Sequence, residues 1–102
     1  MDEIQLENIK YIIQLAVIRE EDRITDNQRI DLFDSIDCLN LDELSILFAV
    51  FSVGKSGEVK KYDIYLSQAL NLGFPLVDEL YNNSLLGVLL TSGLKELGVI
   101  NT

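Results

Sequence analysis

The sequence predicts an all-α fold, a small single-domain bundle of five or six helices over residues 1–102. Three observations point there. Apolar residues recur at the 3.6-residue helical period, helix start and stop signals punctuate the chain, and no alternating strand pattern with a hairpin turn interrupts them. A chain of this length has material for one hydrophobic core, and 48% apolar with 25% charged residues is the composition of a folded globular protein.

A first helix is expected over residues 3–20, with Ile4, Ile9, Ile12, Ile13, Ala16 and Val17 on its inner face and Tyr11, Leu15 and Ile18 beside them. Glu20-Glu21-Asp22-Arg23 then reads as a solvated loop. Thr25 and Gln28 have the form of a capping box, in which two side chains satisfy unpaired backbone N–H groups, so a second helix is expected over 26–38. Its inner side is Ile30, Phe33 and Ile36, with Leu32 near them. Asp31, Asp34 and Asp37 recur every three residues on the side facing water. Asn40 and Glu43 form another capping box, with Leu39 and Leu44 as hydrophobic staple. The helix that follows is apolar nearly all round, as befits the middle of a bundle.

Gly54 and Gly57 are expected to end that helix. The next is expected to bury Val59, Tyr62, Leu66, Ala69 and Leu70. Gly73-Phe74-Pro75 breaks it, with Pro75 suited to a first helical position. Asn82-Asn83-Ser84 interrupts the chain again and is placed to cap a last helix over 85–97. Gly87 and Gly93 would leave notches there for close packing, and Gly98 is a left-handed cap with Val99 set to touch Leu94.

Charge is uneven along the chain. Residues 1–43 hold 12 acids and 4 bases, whereas residues 44–102 hold 5 acids and 4 bases, within a total of -9. Direct nucleic-acid binding and anionic membrane surfaces both need basic residues and are therefore disfavoured. The longest uncharged stretch, Leu80 to Leu94, contains Asn82, Asn83, Ser84, Thr91 and Ser92 and falls short of a bilayer span. Met1-Asp2-Glu3 begins acidic, unlike a secretory leader, so a cytoplasmic location is the default expectation.

Catalytic equipment is sparse. The chain has no His, which removes the commonest general base, and Cys38, its one cysteine, can form neither an internal disulfide nor a Cys cluster for a metal. No EF-hand loop is present among the acids, and no cofactor is expected. Ala49, Gly54, Lys55 and Ser56 satisfy a relaxed phosphate-loop pattern. Such a loop needs a strand to deliver its N–H groups to a helix start, and here the Asn40 box opens a helix instead. Tyr11, Tyr62, Tyr65 and Tyr81 read as packing residues.

The second half resembles an uncharacterised bacterial family, domain-of-unknown-function family 3775. The resemblance rests on Leu39-Asn40-Leu41-Asp42-Glu43-Leu44 opening a helix, on the turn Val53-Gly54-Lys55-Ser56-Gly57, and on Tyr81 to Gly98 with its ordered glycines. Ser84 stands where members carry Pro, and Lys55 where they carry Arg. The resemblance implies a small helical bacterial domain and no catalytic residues.

The reading that follows is a non-enzymatic interaction or regulatory protein. It would bind a protein partner with a basic surface through an acidic helical face made by Asp31, Asp34, Asp37, Asp42 and Glu43. A self-associating homodimer domain and an acidic inhibitor imitating nucleic acid, of the phage or immunity type, are the alternatives.

Overall fold

A computed structural model describes residues 1–100. Six α-helices make up the described chain: α1 (Glu3–Glu20), α2 (Asp26–Asp37), α3 (Leu41–Ser56), α4 (Tyr62–Leu72), α5 (Leu76–Tyr81) and α6 (Leu86–Glu96), with a short 3-10 turn, Val59–Lys61, leading into α4. No strand occurs among the described residues, and none of these helices is long and apolar enough to cross a membrane. The fold is a small all-α bundle, 36 × 31 × 24 Å.

The first three helices start where local chemistry starts them. Asp2 with Gln5, Thr25 with Gln28, and Asn40 with Glu43 each form a reciprocal capping box. Gly57 ends α3 in the left-handed conformation at φ 73°. Gly98 closes α6 the same way. Its N–H donates to Lys95 O, and the N–H of Val99 donates to Leu94 O at 2.9 Å, the paired bonds of a Schellman ending.

One core cluster draws on all six α-helices, from Ile9, Ile12, Leu15 and Ala16 through Leu32, Ile36, Leu44, Leu47 and Val50 to Leu76, Leu80, Leu86, Leu90 and Leu94. α3 packs mainly on α6 and α4, α1 on α6 and α2, and α2 also on α5. α6 thus bridges α1 and α3. Glycine makes both contacts close. A Cβ on Gly93 would collide with the carbonyl oxygen of Val50 in α3, and one on Gly54 with that of Leu89 in α6. On the other side, a Cβ on Gly87 would lie 2.6 Å from a Glu20 carboxylate oxygen and 2.9 Å from Val17 Cγ2.

Several expectations change. Gly54 does not end α3: the helix runs through it to Ser56, because the missing side chain is needed to admit α6 and not to turn the chain. The expected inner face of α1 is buried at Ile9, Ile12 and Ala16 but not at Ile4, and that of α2 is rotated toward Leu32. Ile4 is 73% exposed and Ile30 57%, while Leu32 carries the burial with Ile36. α4 buries only Ala69, and Val59 and Leu70 are exposed. Pro75 sits one position before its expected place, as the residue preceding the first turn of α5. The Asn82-Asn83-Ser84 turn meets the start of α6 only through Asn83, whose Oδ1 accepts the Leu85 N–H at 2.9 Å. The residue before that helix is Leu85, which makes no side-chain cap, and the capping carboxylate is Glu20.

Candidate functional site

α2 is a helix held by one edge. Leu32 and Ile36 are its buried residues, and at roughly 100° per residue Asp31, Asp34 and Asp37 fan over about 120° centred on the opposite side. All three are exposed. Ile30 lies within that fan, since Asp34 is four residues and Asp37 seven residues further on, and Asp26 is four residues back. One large exposed apolar side chain is therefore set among exposed carboxylates. Phe33 flanks it, half-buried, with its ring 5.2 Å from that of Tyr81 in an edge-on arrangement. Arg29, Ile30, Phe33, Asp34 and Tyr81 line one shallow groove.

Asp42 is also exposed, in the first turn of α3 beyond the Asn40 cap. Asp31, Asp34, Asp37 and Asp42 form no ion pair among the described residues; the pairs present are Glu21 with Arg23 at 3.0 Å and Glu58 with Lys61 at 2.8 Å. Glu43 stands apart from the aspartates. It is half-buried, and its carboxylate accepts the N–H of Asn40 at 2.9 Å, so its charge is engaged with the helix start. Among the described residues no three His, Cys, Asp or Glu side chains gather as a metal-ligand set. Cys38 is exposed at the end of α2.

A second arrangement joins the ends of α1, α5 and α6, where the sequence reads as a solvated loop. Arg19 donates to the carbonyl oxygens of Tyr81 at 2.6 Å and Asn83 at 3.0 Å, at the negative end of the α5 dipole, and its guanidinium lies 5.1 Å from the centre of the Tyr81 ring. The adjacent Glu20 accepts from the N–H groups of Gly87 at 2.7 Å and Val88 at 3.2 Å, at the positive start of α6. Two consecutive side chains of opposite charge thus hold the two helix ends that flank the α5–α6 turn. No local signal announces this, since the partners lie more than sixty residues away along the chain. The Asp2–Gln5 box could have been found by the same rule that locates the other two.

The phosphate-loop pattern is part of a continuous helix, with Gly54 against α6 and Lys55 exposed. Near the α3–α4 junction Tyr65 Oη donates to Ser56 Oγ at 2.9 Å. A hydrogen bond from Lys61, reinforced by its charge, holds Glu58 below the usual carboxylate range, and the same pair raises Lys61. Burial, with the neighbouring Asp63 charge, pushes the Tyr62 phenol up. No protein-family description, curated protein or solved structure matches this chain at a significant level.

Proposed function

We propose that this chain is a non-enzymatic interaction protein of bacterial type that captures a basic, amphipathic protein segment on the outer face of α2. The observation that carries the reading is Ile30, exposed and set among Asp31, Asp34 and Asp37, none of which has an ion-pair partner among the described residues. An apolar centre with a charged rim is the anatomy of a docking surface. The centre supplies most of the affinity and the rim chooses the partner and speeds encounter. Asp42 extends the rim onto α3, and the resemblance to the uncharacterised family adds no residue to it.

Replacing Asp31, Asp34 and Asp37 together by Asn tests the reading on a partner recovered from the native host. The expected result is association slowed by about tenfold or more at low salt, the difference shrinking as salt is added. An association rate equal to that of the unaltered protein at low salt overturns it.

One observation favours self-association as a second reading. Ile64, Leu70 and Leu72 of α4 are exposed, with exposed Val59 and Phe74 at either end of that helix. Light scattering over a dilution series should then show a mass falling from dimer to monomer, whereas a monomer mass at every concentration removes this reading.

A further inference from the structure

We propose that the cleft between the last turn of α1, the first turn of α2 and the α5–α6 connection binds a phosphoryl group, held by Arg29 and Arg19 with Asn82 and Ser84 as neutral donors. The inference does not depend on the acidic face of α2. The cleft has a volume of about 410 Å³, enough for a small phosphate ester, and is lined by Arg19, Glu20, Arg29, Tyr81, Asn82 and Ser84.

The charge arrangement carries the argument. In a chain with 17 acids against 8 bases, a guanidinium meets a carboxylate easily. Neither Arg19 nor Arg29 forms an ion pair among the described residues. Arg19 is half-buried; its partners are two backbone carbonyls at the end of α5 and the face of Tyr81, which offset part of its charge as the start of α6 offsets that of Glu20, and they leave part of its donor set free. The one carboxylate in the cleft, that of Glu20, is turned to the start of α6, with one oxygen on the Gly87 N–H and the other on the Val88 N–H. Its charge is thereby offset by the helix dipole. What remains in the cleft is two arginines against one carboxylate, with Asp34 outside it in the adjoining groove that shares Arg29 and Tyr81.

Arg19 is also fixed in place. Its carbonyl bonds and the contact with Tyr81, itself set against Phe33, hold the guanidinium before any ligand arrives, which lowers the ordering cost of binding. Arg29 is exposed and makes no hydrogen bond through its side chain among the described residues, so it is free to close over an anion. Two guanidiniums with a hydroxyl and an amide suit the several acceptor oxygens of a phosphate dianion better than a flat carboxylate.

The test follows the arginine Nε–Hε and the Tyr81, Asn82 and Ser84 amide resonances during titration with inorganic phosphate, O-phosphoserine, acetate and sodium chloride at matched ionic strength. Saturable shifts are expected with inorganic phosphate, with O-phosphoserine or with both. Saturation by the inorganic ion alone assigns the free ion, and saturation by O-phosphoserine, alone or as well, assigns an ester. Arg29→Gln should raise the midpoint about tenfold while leaving the unfolding midpoint unchanged. The Asp31, Asp34, Asp37 triple variant should keep the site, since those residues do not line it. Shifts that track ionic strength equally for all four solutes overturn the proposal, as do an unchanged midpoint in Arg29→Gln or acetate binding as well as phosphate.

Discussion

α6 and α2 are nearly equal in length and built on opposite principles. α6 buries Leu86, Gly87, Leu90, Gly93 and Leu94 and touches two other helices at backbone distance, whereas α2 buries only Leu32 and Ile36. α2 caps its own start with Thr25 and Gln28; α6 has no capping box, and the N–H groups of Gly87 and Val88 in its first turn are met by the remote Glu20. The difference separates two tasks. α6 fixes where the other helices sit, and α2, whose start is satisfied locally and whose outer aspartates have no ion-pair partner among the described residues, is placed to meet another molecule without disturbing the fold.

The sharpest way to break this contrast is to add one carbon to the buried helix contact. Alanine in place of glycine in an ordinary helix interior stabilises by about 1 kcal/mol. At Gly93 or Gly54 the sign should reverse, because the new Cβ falls on a carbonyl of the facing helix. A loss of about 2–3 kcal/mol in denaturant unfolding is expected, and a stability equal to or above that of the parent would mean that α3 and α6 do not lie so close. Next in size is Glu20→Ala, which leaves the first N–H groups of α6 without their carboxylate and should cost about 1–2 kcal/mol. Protection of α6 amides from hydrogen exchange should fall in that variant more than protection in α2. Smallest is the stability effect of the Asp31, Asp34, Asp37 to Asn variant that slows association. It is expected to stay within about 0.5 kcal/mol of the parent, and a larger loss would show that those carboxylates serve the fold.

The same contrast explains what could be read from residues alone. The starts of α2 and α3 and the end of α6 were legible because their chemistry is confined to a few neighbouring positions: Thr25 with Gln28, Asn40 with Glu43, Gly98 with Val99. The notches at Gly87 and Gly93 were legible as sites of close approach, but not the helices that fill them. Periodicity puts Ile4 and Ile30 inside because it identifies an apolar stripe without telling whether a neighbour covers all of it. Local sequence places Glu20 in solvent because its role is set entirely by Gly87 and Val88, remote in the chain. Of the candidate surface, the exposure of Asp31, Asp34, Asp37 and Asp42 was legible. The engagement of Glu43 follows from reading its capping box as a commitment of the carboxylate.

The bridging position of α6 bears on how the molecule is made. α1 and α3 precede residues 86–96 in the chain, so the space between them that Leu86, Leu90 and Leu94 fill has no occupant until α6 joins them. A chain lacking α6 would expose Val17, Val50 and their neighbours, apolar surface of the kind that promotes aggregation. Truncation before Leu86 is therefore expected to give a chain that aggregates or is retained by chaperones, whereas α6 covers that surface in the complete bundle.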